Sequence, residues 1–189
     1  MKNIVWIISA IAIMLLGYVS QRYLFDTHAY HIHADFAVFI DGTKMDFAHD
    51  GYMTSTDICA TDYNSKHTHL HDENGEVIHI HQEGQTVSDF FTSIGFALTD
   101  ESLVSETDVT YTNNTSKKWQ FFVNGVATSS LQGYVFNDLD KILLSYGNAK
   151  TQYIEKELGE VSHNACIYSE KCPKPEGVVL PTERCGTSE

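Results

Sequence analysis

The stretch KHTHLHDENGEVIHIHQ, residues 66–82, carries His67, His69, His71, His79 and His81, half of the ten histidines in the chain. On an extended strand residues i and i+2 point to the same side, so each His-x-His unit projects two imidazoles together. Two such units on paired strands converge on one ion. Imidazole nitrogen suits Zn(II), Cu(II) and Ni(II), and the order of affinities favours copper where both copper and zinc are available. The expected cofactor is therefore Cu(II) or Zn(II), a transition-metal ion. A further His-x-His unit, His31 and His33, lies in YHIHADF. It joins the same ion only if that segment folds against the hairpin. The plainer alternative is a polar sheet face decorated with imidazole, for which His67 and His71 are the first candidates. His28, His49 and His163 are isolated and read as surface residues.

Convergence depends on register, because a one-residue slip sends every side chain to the opposite face. A loop of Asn74-Gly75 alone places His71 on the face of Ile78 and Ile80. A loop of Glu73-Asn74-Gly75, with Gly75 supplying the left-handed conformation, pairs His71 with Val77, His69 with His79 and His67 with His81. Leu70, Ile78 and Ile80 then line the other face. The hydrophobic pattern selects this second register, and the expected ligand set is His69, His71, His79 and His81, with His33, His31 and His67 as further members.

Other chemistries fit less well. A blue-copper site draws on a cysteine closely followed by histidine and methionine, and no such run exists. Of the methionines, only Met45 and Met53 lie beyond the N-terminal segment, too few for Cu(I) handling by thioethers. Calcium wants oxygen ligands, and the Asp72–Gly75 turn is too short for an EF-hand loop. HTHLHD is similar to the His-x-His-x-Asp-His of metallo-β-lactamases, but with the Asp and final His reversed. His67, His69 and Glu73 match part of a cupin motif without its glycines or its second motif. An open three-His centre with Asp72 or Glu83 as base is the enzyme alternative. A pH-sensing interaction module, titrating near the ordinary imidazole value of about 6.5, is the non-metal alternative.

The elements that position these residues are legible in outline. YHIHADFAVFIDGTKMDF, residues 30–47, alternates and turns at Asp41-Gly42, pairing Ile40 with Thr43, Val38 with Met45 and Phe36 with Phe47. His31, His33 and Asp35 point away from that apolar face. Residues 48–65 read as a long loop carrying Cys59. GQTVSDFFTSIG predicts a short core helix, with Thr86 and Asp89 as its cap and Gly95 as its stop. A polar loop follows, then a hairpin turning at Asn124-Gly125, a buried strand at residues 141–147 and a helix within residues 148–160. The expected class is α+β.

With 12 Lys and Arg against 25 Asp and Glu, the net charge is −13. Nucleic acid and anionic lipid headgroups would repel it, whereas cations suit it. Residues 1–25 hold an apolar run from Ile4 to Val19 behind Lys2, with no small-x-small cleavage site after it. This predicts an uncleaved signal anchor that tethers residues 26–189 outside the cytoplasm as a single-pass membrane protein, with a cleaved signal peptide as the first alternative and a buried soluble helix as the second. The four cysteines, Cys59, Cys166, Cys172 and Cys185, fit an oxidising compartment and at least one bridge within the tail. No Cys-x-x-Cys is present.

GQTVSDFF, WQFFVNG and YVFNDLDKILLSYG together resemble the β-grasp domains related to the C-terminal domain of transcobalamin, over roughly residues 76–147. That resemblance implies a mixed sheet with one short helix, to which the first hairpin is added, and carries no catalytic residues. HIHADFAVFIDG, HLHDENGEVIHIH and ACIYSEKCP resemble a group of small His-rich membrane-anchored proteins of environmental bacteria, some labelled protein-disulfide isomerase. A thiol-disulfide oxidoreductase is the activity that label implies. The expected organisation is an anchor (1–25), a His-rich β-grasp-like domain (26–147) and a helix with a Cys/Pro-rich tail (148–189).

Overall fold

The computed structural model describes Met14 and residues 30–54, 67–148 and 151–176. Met14 aside, the anchor expected over residues 1–25 lies outside the described residues, as do His28, Cys59 with most of its loop, and Cys185. Among the described residues, no helix is long and apolar enough to cross a membrane.

The first hairpin forms strands β1 (Ile32–Ile40) and β2 (Thr43–Lys44), and the histidine hairpin forms β3 (Thr68–His69) and β4 (Val77–Ile80). Helix α1 (Val87–Ser93) comes next. Three short strands follow it: β5 (Ala97–Leu98), β6 (Ser102–Val104) and β7 (Thr110–Thr112). The Asn124-Gly125 hairpin forms β8 (Lys118–Val123) and β9 (Val126–Thr128), followed by β10 (Lys141–Gly147), α2 (Thr151–Gly159) and α3 (Ala165–Tyr168). The fold is α+β, built on a mixed sheet ordered β3-β4-β1-β10-β8-β9, with β2 also paired to β1. Strands β1 and β10 run parallel; every other pair is antiparallel.

β1 sits at the centre of this sheet, and the expectation of a first hairpin added to a finished domain does not hold. The reason lies in its sequence. From Phe36 the strand is apolar on both sides, the mark of a strand covered on two faces. Ala34, Phe36 and Val38 enter a core with Leu70, Ile78, Ile80, Phe90 and Phe91, while Ala37 and Phe39 enter a second one with Leu143 and Val161. One edge of β1 pairs with β10. The other is shared, with β4 taking Ile32–Asp35 and β2 taking Phe39 and Ile40.

Helix α1 closes the first core. The Thr86 side chain accepts from the Asp89 amide while Asp89 accepts from the Thr86 amide, and Gly95 leaves the helix at φ +84°. On the opposite face Leu158 and Val161 cover Ala37, Phe39 and Leu143. The stretch expected as a polar loop after α1 instead holds the three-stranded sheet β5-β6-β7, whose Leu98 and Leu103 are buried. Strands of two or three residues are too short to show a period, which is why alternation does not reveal them.

Gly75 also departs from expectation. The left-handed residues of the histidine loop are Asp72 (φ 58°) and Glu73 (φ 57°), and Gly75 is not among the positive-φ glycines. Its constraint is space. A Cβ there would lie 2.4 Å from the Phe47 carbonyl carbon and the Ala48 nitrogen. The histidine loop therefore rests directly on the backbone that leaves β2.

Candidate metal centre

The expected register of the histidine hairpin is the observed one. His69 pairs with His79 and Thr68 with Ile80. The His81 amide donates to the His67 carbonyl at 2.8 Å. Leu70, Ile78 and Ile80 are buried in the first core, so the imidazoles of His69, His71, His79 and His81 are left to the other face, where they pack on one another. β4 also pairs with β1, setting His33 opposite His79 and Ile32 opposite Ile80. Three adjacent strands thus contribute one row, His69, His79 and His33. The same register places His67, His81 and His31 in a second row about 7 Å away along the strands.

Ring packing follows that grid. His31 stacks on His81 with centroids 4.4 Å apart, and His81 on His69 at 4.9 Å. His33 meets His79 edge-on at 4.6 Å, and His71 lies 3.8 Å from His79. Within this array one group converges: a ring nitrogen from each of His31, His33 and His79, all within 4.8 Å of one another. This three-histidine group could hold a metal ion. In four-coordinate geometry with Zn–N bonds of about 2.0–2.1 Å, ligand nitrogens stand about 3.3 Å apart, so small ring rotations close the set. Of the hairpin quartet, His79 belongs to this group. His69, His71 and His81 pack around it as neighbours.

His33, His69 and His79 are at most 1% exposed, whereas His31 is exposed at the rim. A face decorated with solvated imidazole would leave all of them wet. The cover is the C-terminal segment. Tyr168 sets its ring 5.0 Å from His79 and 5.7 Å from His33, and Asn74 donates to its hydroxyl at 2.9 Å. Ser169 Oγ lies 2.8 Å from His33 Nδ1 and donates to Asp138 at 2.6 Å. Asp138 also accepts from the His33 amide at 3.1 Å and pairs with Lys171. Burial alone would push the Asp138 carboxyl up, but Lys171, Ser169 and the His33 amide together bring it below its ordinary value.

Two further features hold this cover in place. The Cys166–Cys172 disulfide, the bridge expected within the tail, closes a loop that carries Tyr168 and Ser169. Asp35, 2% exposed, accepts from the amides of Asn164 (2.8 Å) and Ala165 (3.1 Å) and from the Ser162 hydroxyl. A β1 carboxylate therefore fastens the start of α3 to the sheet.

The three converging histidines, His31, His33 and His79, are among the seven that the sequence singles out, whereas Asp138, Ser169 and Tyr168 are not singled out by it. Asp138 and Ser169 stand 105 and 136 residues from the histidine they contact. No local pattern reports such a pairing. Asp35 was within reach, since it follows His31 and His33 in the same alternation. Comparisons with protein-family models, with curated proteins and with solved structures find no match to this chain.

Proposed function

We propose that this protein is a membrane-tethered, extracytoplasmic binder of Cu(II) or Zn(II), with His31, His33 and His79 as the primary ligands and His81, His69, His71 and His67 as the surrounding imidazole shell. The observation that carries the reading is the convergence within 4.8 Å of three ring nitrogens, from His33 in β1, His79 in the neighbouring β4 and His31 just before β1. Burial of two of the three under Tyr168 and Ser169 adds to it, because metal sites are commonly backed by a dry, hydrogen-bonded shell. An all-nitrogen set suits copper and zinc and disfavours calcium or magnesium. The N-terminal apolar run and the tail disulfide are consistent with an anchored domain in an oxidising compartment. The finer fold assignment, β-grasp-like, draws support from a mixed sheet whose first and last long strands, β1 and β10, lie side by side and parallel. Kinship with the His-rich anchored bacterial proteins goes with this reading.

The test is metal content. The full chain, produced without a polyhistidine tag and reconstituted with Cu(II) or Zn(II), should retain about one equivalent after desalting. The His33→Ala and His79→Ala variants should each lose most of it. Retention below a tenth of an equivalent in the folded wild-type protein sinks the proposal.

One observation favours a second reading. The converging group supplies three ligands, and three protein ligands plus water is the usual catalytic arrangement. A Co(II)-substituted protein separates the two: an exchangeable water on the ion supports an enzyme, and a closed sphere completed by His81 supports a binder.

A further inference from the structure

We infer that Ser169, held by Asp138, is a positioning residue that fixes His33 in its Nδ1–H tautomer and so assigns Nε2 as the His33 ligand atom. This rests on the metal-binding reading above for its purpose, though not for its geometry. Ser169 has one hydroxyl proton and two neighbours able to accept it: the Asp138 carboxylate at 2.6 Å and His33 Nδ1 at 2.8 Å. The carboxylate is charged, closer, and has no proton of its own to give at neutral pH, so the Ser169 proton goes to Asp138. Ser169 Oγ then faces His33 with a lone pair. Two lone pairs at 2.8 Å repel each other, whereas an Nδ1–H donated to Oγ makes a good hydrogen bond. The imidazole proton is thereby drawn to Nδ1, and Nε2 keeps the lone pair that a metal needs.

The relay is anchored at every joint. Asp138 receives the His33 amide on the same oxygen as Ser169 and Lys171 on the other, so its position is set by β1 and by the tail together. The Ser169 amide donates to the Ala165 carbonyl at 2.9 Å, and the amides of Lys171 and Cys172 return to the Cys166 carbonyl at 2.8 and 3.1 Å. The disulfide closes the same loop. A carboxylate reaching a ligand histidine through a hydroxyl is a variant of the hydrogen-bonded support that ligating imidazoles commonly have. Loss of such support typically costs 10- to 100-fold in metal affinity.

The test has two readouts on the full chain. In the metal-free wild-type protein labelled with ¹⁵N-histidine, the His33 ring should show a pyrrole-type Nδ1 and a pyridine-type Nε2 at neutral pH. In competition titrations with Zn(II), Ser169→Ala should weaken binding by about 10- to 100-fold, and Ser169→Thr, which restores the hydroxyl, should recover most of the loss. A pyridine-type Nδ1 on His33 in the wild-type protein overturns the inference whether or not any variant folds. Unchanged Zn(II) affinity in a folded Ser169→Ala protein overturns it too. If the wild-type protein binds no metal, the proposed function falls, while the tautomer measurement still decides the relay.

Discussion

Replacing Gly75 separates two explanations of the histidine loop. If glycine were there for left-handed backbone, asparagine would be nearly neutral, since Asn tolerates that conformation. Instead the left-handed positions are Asp72 and Glu73, and Gly75 is where the loop meets the strand leaving β2. A Cβ at Gly75 would stand 2.4 Å from the Phe47 carbonyl carbon and the Ala48 nitrogen, and 2.9 Å from the Ala48 Cα. Carbon atoms pack at roughly 3.5–4.0 Å, so the overlap is about 1 Å or more against main chain, which cannot rotate away. Adding a methylene to a packed core costs about 1–3 kcal/mol even where side chains can shift. Gly75→Ala and Gly75→Asn should therefore both lose about 3 kcal/mol or more, with no advantage to asparagine. At about 2–4 °C per kcal/mol for a domain of this size, Tm should fall by roughly 6–12 °C.

The strain also reaches the histidine face. His71 lies at the start of this loop and β4, which carries His79, leaves its end, and relief of the clash must lift the loop from Phe47, so metal retention should fall along with Tm. Thermal unfolding by circular dichroism, with metal content on the same samples, reads both. A Gly75→Asn protein within about 0.5 kcal/mol of wild type, beside a clearly destabilised Gly75→Ala, would refute the steric argument and restore the left-handed one.

Three other outcomes follow from the packing of the tail. Asp35→Ala removes the acceptor for the Asn164 and Ala165 amides and the Ser162 hydroxyl. With charge-assisted bonds at about 1.5–3 kcal/mol each and partial rescue by water, a loss of roughly 3 kcal/mol is expected in urea unfolding, together with faster amide exchange over residues 162–169. Loss of the Cys166–Cys172 bridge in a Cys166→Ser/Cys172→Ser double variant should cost about 2 kcal/mol, the loop-closure value for so short a ring, and should expose Tyr168 to quenchers. Burial raises the Glu157 carboxyl above its ordinary value, opposed by a Ser145 hydrogen bond and reinforced by Glu160. A raised acid contributes stability that is complete below its unfolded value of about 4.3 and is lost as pH climbs through the folded value. Glu157→Gln should hence match wild type near pH 4 and be the more stable protein at pH 7; equal stability at both would contradict the assignment.

How far the sequence carries the fold depends on the range of the interaction. The Thr86–Asp89 cap, the Asp41-Gly42 and Asn124-Gly125 turns and the His69–His79 register each rest on residues close in sequence, and each appears as expected. The central place of β1 is also written locally, in the two-faced apolar run from Phe36 to Ile40, although a resemblance beginning at residue 76 pointed elsewhere. By contrast, which histidines converge is a matter of which strands become neighbours. The hairpin alone pairs His69 with His79. Only the addition of β1 on the far side of β4 places His33 and His31 against His79.

That difference carries a physical consequence. A four-histidine site confined to the β3–β4 hairpin could form before the rest of the domain, and metal could template it. The observed group draws on residues 31, 33 and 79 and is closed by residues 168 and 169, so it exists only once the first strand, the second hairpin and the tail have come together. Metal binding to such a site is coupled to the global fold. An ion at 100 times its dissociation constant then adds about 2.7 kcal/mol to the stability of the whole domain and not to one hairpin. The buried imidazoles and the tail that covers them thus act as one unit, which is why the hydroxyl of Ser169, far from the histidines in sequence, falls at the ring nitrogen it orients.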